Sequence, residues 1–76
     1  MVLSELKAGD KVKITEISNN LINKQRLCDL GIIPGTKIES LYKSPFGDPA
    51  AYLIRGSVFA LRNETAAKIT VEKISQ

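Results

Sequence analysis

Residues 26–36, Arg-Leu-Cys-Asp-Leu-Gly-Ile-Ile-Pro-Gly-Thr, carry the signals that end a helix and begin a strand. Gly31 suits the left-handed backbone conformation that commonly closes a helix. Pro34 and Gly35 suit the two central positions of a type II turn, because proline fixes the first φ and glycine supplies the positive second one. The stretch therefore predicts a helix, a tight turn and then a strand.

The segments on both sides of this stretch complete a pattern of about five short strands. The predicted elements are, in chain order, a strand over 11–17, a helix over 20–30 capped by Asn20, strands over 36–43, 51–55 and 57–62, a single helical turn over 63–67 and a last strand around 69–71. Gly56 supplies the tight turn between the third and fourth strands. A flat sheet would leave both edges exposed, so the pattern predicts a mainly β, small barrel closed on itself, of the Sm-like or SH3-like type.

Length and composition predict one soluble globular domain over residues 1–76. The chain has 43% hydrophobic and 25% charged residues, unlike disordered proteins, which combine low hydrophobicity with high charge. Its net charge of +3 is spread along the chain without a dense basic run. Proteins that bind nucleic acids usually concentrate Lys and Arg on one stripe, so we do not expect a nucleic-acid partner.

The chain has no histidine and one cysteine, Cys28. This composition excludes a disulfide framework, Cys-His and Ser-His-Asp catalysis and any histidine-based zinc site. The isolated carboxylates Asp10, Asp29 and Asp48 stand at turns or a helix end, where they usually bond local backbone. We therefore expect no enzyme activity, no stable metal site and no cofactor, and we expect Cys28 to pack as a small hydrophobe in a reducing cytoplasm.

Neither end of the chain resembles a targeting or membrane segment. The first residues lack the basic and apolar regions of a signal peptide. The longest apolar run, Ala50–Ile54, is far shorter than the roughly 18 residues that a membrane span needs. We expect a cytoplasmic protein that does not insert into the membrane.

The four aromatic side chains divide into two groups. Tyr42, Tyr52 and Phe59 lie on predicted strands, so we expect them in the core or at the rim of the barrel. Phe46 lies between Pro45 and Gly47 in a loop rich in turn-forming residues. Two roles remain open to Phe46, a contact with a partner protein or a staple tucked against the domain.

Residues 26–36 resemble the signature of the FeoA family, bacterial ferrous iron transport protein A. Residues 6–9 look like the opening segment of that family, and residues 44–49, Ser-Pro-Phe-Gly-Asp-Pro, resemble its central Pro-x-Gly-Asp-Pro loop. The stretch from Phe59 to Val71 is similar to the C-terminal end of the family. Because these blocks occur in the same order and at the same spacing as in the family, the resemblance is specific.

This resemblance implies an SH3-like barrel with a helical insertion after the first strand. It also implies a non-enzymatic cytoplasmic accessory to FeoB, the membrane protein with a GTPase domain that carries ferrous iron inward. By position in the motifs, the expected partner-binding residues are Lys24, Arg26, Asp29, Pro45, Phe46, Gly47, Asp48 and Pro49. Core packing and turn geometry account for the remaining motif residues, which are Leu27, Leu30, Gly31, Pro34, Gly35 and Gly56.

Two other functions compete with the accessory role. The same domain type resembles the C-terminal module of metal-dependent repressors, so a small transition-metal sensor or chaperone that binds ferrous iron through Cys28 and carboxylates is an alternative. One soft ligand makes a poor site for such a metal. A nucleic-acid-binding barrel is the other alternative, and its affinity would fall steeply with salt. The sequence does not predict the oligomeric state.

Overall fold

Five strands form one antiparallel sheet in the computed structural model, which describes residues 1–74. The elements are a 3-10 turn at Leu3–Glu5, β1 Lys11–Ile17, α1 Lys24–Asp29, β2 Lys37–Lys43, β3 Ala50–Ile54, β4 Ser57–Leu61, α2 Asn63–Ala66 and β5 Ile69–Lys73. The strand order across the sheet is β4-β3-β2-β1-β5. This is the mainly β architecture predicted, with one helix after the first strand and a helical turn before the last.

The predicted closure of the barrel is wrong, because β4 and β5 are the two edges of an open sheet. The edge of β5 is covered by the start of the chain. Val2 forms a bridge with Thr70, and the Val71 amide donates to the Met1 carbonyl at 2.8 Å. These backbone bonds satisfy part of the β5 edge without β4, so the sheet curves over a core without pairing its last two edges.

The buried core is almost entirely aliphatic. Tyr52 is its largest fully buried side chain, with 1% of its surface exposed. The other hydrophobic side chains of this cluster are Leu3, Leu6, Val12, Ile14, Ile17, Leu21, Leu27, Ile32, Ile38, Ala50, Ile54, Leu61, Ala66, Ile69 and Val71. Phe59 packs against the cluster while partly exposed, as predicted for a residue at the rim.

A register shift in each of two strands changes which side chains face the core. In β2 the pairing moves from Ser40↔Tyr52 to Tyr42↔Ala51, so Leu41 is an extra residue. Such a bulge reverses the alternation of side chains along the strand. Tyr42, which alternation alone places on the buried face with Ile38, is therefore 62% exposed. The prediction that Tyr42 belongs to the core or rim is wrong for this reason.

The helix of residues 20–30 is shorter than predicted, since α1 begins only at Lys24. The preceding residues form successive turns, with the Asn20 amide bonded to Ser18 Oγ at 3.2 Å and the Leu21 amide to the Ser18 carbonyl at 3.2 Å. Asn20 therefore does not cap the helix. Ser and Asn side chains stabilise such turns in competition with helix. No helix within residues 1–74 is long and apolar enough to cross a membrane.

The end of α1 and the turn after it are built as the sequence predicts. Gly31 has φ +90°, and two bonds close the helix: the Gly31 amide to the Cys28 carbonyl, and the Ile32 amide to the Leu27 carbonyl. This is a Schellman motif, whose hydrophobic contact is supplied by buried Leu27 and Ile32. Gly35 has φ +94° within a turn closed by the Thr36 amide and the Ile33 carbonyl at 3.0 Å. The predicted helix end and turn are confirmed.

Replacing Gly31 with alanine should lower the free energy of unfolding by roughly 1–2 kcal/mol, because an L-residue is strained at positive φ. A Cβ there would also lie 2.8 Å from Arg55 Cδ, so the Arg55 side chain must move. Urea unfolding of Gly31→Ala measures the loss. Gly9→Ala is the matched control, since Gly9 has φ +92° but open space around it. Equal stability of Gly31→Ala and the parent chain would contradict the prediction.

Candidate functional site

The loop between β2 and β3, residues 44–49, is closed by its own backbone. The Ser44 amide donates to the Pro49 carbonyl at 3.0 Å, and the Gly47 amide donates to the Ser44 carbonyl at 2.8 Å. Gly47 has φ +82°, and the Asp48–Pro49 peptide bond is cis. The two hydrogen bonds give the loop a defined backbone path, although it carries no regular secondary structure.

Asp48 and Asn63 join this loop to α2. The Asn63 amide donates to Asp48 Oδ1 at 3.0 Å, and Asn63 Nδ2 donates to the Gly47 carbonyl at 3.2 Å. Arg62, at the N-cap of α2, offers no side-chain bond to the helix. The Asp48 carboxylate therefore accepts a hydrogen bond from one of the amides at the start of α2 that have no partner within the helix, and its charge suits the start of a helix.

Phe46 projects from this fixed loop into solvent, with 96% of its surface exposed. Of the two roles open to Phe46 in the sequence, the staple is excluded by this exposure. Phe46 is the most exposed large hydrophobic side chain within residues 1–74, and its contact with a partner protein stays a prediction.

Ile22 is a second exposed apolar side chain, with 94% of its surface accessible. It lies beside α2, in a shallow cleft that also involves Glu64, Thr65 and Lys68. The 44–49 loop contacts the start of the same short helix through Asn63. We call this region, consisting of the 44–49 loop, α2 and Ile22, the α2 surface.

Ile22 is not among the contact residues predicted from the sequence, although the residues around it indicate its exposure. Leu21 and Ile22 are adjacent apolar residues in a turn after Asn19 and Asn20, and adjacent side chains in a turn do not both face one core. Leu21 is buried and Ile22 is exposed. The predicted helix over 20–30 concealed this alternation, because it placed both residues in a regular element.

The three predicted contact residues of α1 lie on or near its outer side. Arg26 and Asp29 are exposed, with Asp29 Oδ1 accepting a bond from Gln25 Nε2 at 2.9 Å. Lys24 is half-buried, and its ammonium group bonds the Asn19 side chain. Within residues 1–74 no hydrogen bond joins α1 to the 44–49 loop. The two predicted contact regions are therefore separate elements, with α2 and Ile22 between them.

Leu30 departs from its predicted role in core packing. It is 45% exposed, because it follows the last residue of α1 and the chain turns away at Gly31. The buried contacts of this segment are made instead by Leu27 and Ile32, the pair of the Schellman motif. Leu30 and its neighbour Ile33, also exposed, place apolar surface beside Arg26.

Tyr52 links the 44–49 loop to the core. Burial raises the pKa of the Tyr52 hydroxyl above its ordinary value of 10.0, and the nearby Asp48 carboxylate raises this pKa further by repelling a phenolate. The hydroxyl donates a long bond of 3.5 Å to the Leu3 carbonyl. The core, the start of the chain and the loop therefore meet at this one side chain.

Stability should fall at alkaline pH because of Tyr52. Below about pH 10 the hydroxyl is protonated in both the folded and unfolded states, so it adds no pH dependence. Above this value the unfolded chain ionises first, since only the folded pKa is raised. Urea midpoints measured from about pH 8 to pH 11 should therefore fall more steeply for the parent chain than for Tyr52→Phe. Parallel curves would contradict the assignment.

Within residues 1–74, no group of three His, Cys, Asp or Glu side chains is arranged to hold a metal ion. Cys28 is half-buried and lies in a cleft shared with Glu16 and Lys24. A lysine ammonium group there opposes a cation electrostatically.

The whole described chain matches a known family model. Residues 1–73 match the model of the FeoA domain. The chain belongs to the FeoA domain family. A curated relative, the Fe(2+) transport protein A/Fe(2+) transporter FeoB fusion protein of Porphyromonas gingivalis, is 37% identical over 75 residues, which are 99% of this chain. This FeoA domain spans 9% of the length of that relative.

Solved structures agree with the family and the fold. The FeoA protein from Chlorobium tepidum is 37% identical with a TM-score of 0.91, over 99% of this chain and 71% of that one. The zinc complex of Stenotrophomonas maltophilia FeoA, described as an SH3 domain protein, is 28% identical with a TM-score of 0.81, over 95% of this chain and 89% of that one. FeoA domains are small SH3-like domains linked to ferrous iron transport, and they are not enzymes.

The metal-dependent repressors share this fold. A manganese-dependent transcriptional repressor is 21% identical with a TM-score of 0.87, over 97% of this chain and 36% of that one. At this identity the likeness extends to the fold alone. The predicted SH3-like architecture is thus confirmed, with an open sheet in place of a closed one.

Proposed function

We propose that this FeoA domain is a cytoplasmic accessory of ferrous iron uptake that docks on FeoB and modulates its activity. The observation that carries the proposal is Phe46, which is 96% exposed on a six-residue loop held by two backbone bonds of its own and by two bonds with Asn63. The domain acts by protein contact, and the metal is handled by its partner. The fusion of the two proteins in the Porphyromonas gingivalis relative supports this pairing.

The energetics of docking favour a surface of this kind. Burying an exposed Phe side chain contributes roughly 1.5–3 kcal/mol. Because the loop is already held by Asp48 and Asn63, little conformational entropy is lost when a partner covers Phe46. Exposed aromatic side chains with this support are typical of residues that dominate binding energy.

The docking surface consists of the α2 surface together with the outer side of α1. A standard interface buries about 800 Å² per partner. This is roughly a sixth of the 4909 Å² that the domain exposes, so one interface can cover both Phe46 and Ile22. Arg26 and Asp29 lie at its edge and contribute to orientation more than to affinity. The proposed contact residues remain Lys24, Arg26, Asp29, Pro45, Phe46, Gly47, Asp48 and Pro49, with Ile22 added.

An NMR titration of the isotope-labelled chain with the soluble GTPase domain of FeoB from the same organism tests the proposal. Saturable shift changes are expected in residues 44–49, in α2 and from Ile22 to Asp29. The amides of Lys37, Ile38, Glu39 and Leu53, which line a cleft that includes no residue of the loop, α1 or α2, serve as the internal control. An unchanged spectrum with both the GTPase domain and detergent-solubilised FeoB would overturn docking.

Ferrous iron alone should give no binding heat with this domain. The docking proposal assigns the metal to FeoB, and the half-buried Cys28 shares its cleft with the cation Lys24. Anaerobic calorimetry of the isolated chain with ferrous iron and, separately, with zinc measures this directly. Micromolar binding that Cys28→Ser abolishes would favour the metal-sensor alternative, for which the zinc complex of the Stenotrophomonas maltophilia protein is a precedent.

A further inference from the structure

The edge of β4 lies outside the docking surface and has no partner within residues 1–74. β4 pairs with β3 on one side only, whereas the opposite edge of the sheet is covered by Val2 and Met1. Its sequence, Ser-Val-Phe-Ala-Leu, contains no charge and no proline, and its register with β3 runs without a bulge. Proteins usually protect an edge strand by at least one of these devices.

The hairpin turn fixes which backbone groups face outward from this edge. Arg55 and Gly56 have φ of 52° and 81°, which is the conformation of a two-residue type I′ turn. Ile54 and Ser57 flank this turn as a hydrogen-bonded pair, and such pairs alternate along an antiparallel ladder. The amide and carbonyl groups of Val58 and Ala60 therefore point away from β3. Their side chains are exposed as well, Val58 to 59%.

Positive charge stands at both ends of this apolar edge. Arg55 precedes β4 and Arg62 follows it, and both are exposed. Neither arginine has a carboxylate within ion-pair distance among residues 1–74. The ion pair found in these residues joins Lys13 of β1 to Glu72 of β5. A strand that adds to this edge can bond the outward backbone groups of Val58 and Ala60, whose side chains are apolar. The cations Arg55 and Arg62 then lie at its two ends.

We propose that the β4 edge takes up an extended segment of a partner protein whose alternate residues are apolar and whose ends are acidic. Backbone bonds to Val58 and Ala60 give this segment its affinity, and ion pairs to Arg55 and Arg62 fix its position. The proposal does not depend on the identity of the partner docked at the α2 surface.

A second copy of the chain fits this edge less well. Antiparallel pairing of two β4 strands about Phe59 would place Arg62 of each copy beside the Arg55–Gly56 turn of the other. Like charges in such opposed positions destabilise a strand pair. The net charge of +3 on each copy adds to the repulsion.

A designed peptide, Glu-Glu-Thr-Val-Thr-Val-Thr-Glu-Glu, serves as the probe. Its sequence is the same in both directions, so it requires no assumption about strand orientation. NMR titration should shift the amides of residues 57–62, and hydrogen exchange at Val58 and Ala60 should slow on saturation. The same peptide with lysine in place of glutamate, or with both valine amides N-methylated, should bind at least about tenfold more weakly.

Protein variants provide the second arm of the experiment. Val58→Pro removes an outward amide without breaking a bond to β3, and Val58→Glu adds a charge that repels the acidic peptide; both should weaken peptide binding by about tenfold. Ala8→Glu, which adds the same charge to an exposed turn, is the control expected to bind normally. No shift at millimolar peptide, or equal binding of the lysine peptide, would overturn the proposal. Shifts at 57–62 that depend on protein concentration without peptide would overturn it in favour of a second copy.

Discussion

Tyr52→Ala should lower the free energy of unfolding by about 3–5 kcal/mol, the usual cost of removing a buried aromatic ring. Tyr52 is 1% exposed and is the largest fully buried side chain of the domain. A chain of 76 residues has roughly 4–11 kcal/mol of net stability, so this one change removes a large share of it. Thermal unfolding should show a fall in Tm of roughly 4–8 °C for each kcal/mol lost.

Two other variants separate packing from hydrogen bonding in this result. Tyr52→Phe should cost less than about 1 kcal/mol at neutral pH, because the bond to the Leu3 carbonyl is 3.5 Å long. Tyr42→Ala should change stability by no more than about 0.5 kcal/mol, since Tyr42 is largely exposed. If Tyr42→Ala were as costly as Tyr52→Ala, the assignment of the two tyrosines to opposite faces would be wrong.

The contrast between these tyrosines shows where sequence patterns lose their power. Strand alternation predicts the buried face of β2 correctly at Ile38, and the extra residue Leu41 then reverses it for Tyr42. A bulge inserts one residue without a composition signal of its own, so period-two reasoning cannot locate it. The same limit applies to β1, where the register shifts between Ile14 and Glu16.

Glycine and proline positions were more informative than periodicity. The helix end at Gly31 and the turn at Pro34 and Gly35 follow from backbone conformations that few other residues adopt, and the structure contains both. The predicted helix starts at residue 20, four residues before the observed start at Lys24, because Asn20 suits a turn as well as it suits a cap. Residues with one allowed role are predictable, whereas residues with two roles require tertiary contacts to decide between them.

The candidate site was predictable in composition but not in arrangement. The turn-forming residues around Phe46 indicate an exposed loop, and the exposure of Phe46 excludes the staple, while its contact with a partner stays a prediction. The bond between the Asp48 carboxylate and the Asn63 amide joins residues 15 positions apart. The local sequence pattern around either residue does not indicate that they meet. The exposure of Ile22 follows from the turn before α1, which the sequence pattern does not predict.

Phe46→Ala should weaken binding to FeoB by about 30-fold or more while leaving the fold intact. A contact residue that dominates an interface contributes about 2 kcal/mol or more, which corresponds to this loss of affinity. Phe46 is almost fully exposed, so its truncation should change the free energy of unfolding by no more than about 0.5 kcal/mol. Calorimetric titration with the soluble GTPase domain and urea unfolding measure the two effects. Phe46→Leu, which keeps most of the apolar surface, should retain most of the affinity.

Asp48→Ala tests whether binding to FeoB requires a preorganised loop or only the apolar side chain of Phe46. The change leaves Phe46 in place but removes the carboxylate that accepts a hydrogen bond from the Asn63 amide, so the loop keeps only the bond from Asn63 Nδ2 to the Gly47 carbonyl. Binding should then weaken by about tenfold, since part of the binding free energy is spent on ordering the loop. The pKa of Tyr52 should fall in the same variant, because Asp48 contributes to raising it. If the pKa of Tyr52 falls and the affinity for FeoB is unchanged, the loop binds without being held in place. If the pKa and the affinity both fall, docking depends on the contact between the loop and α2.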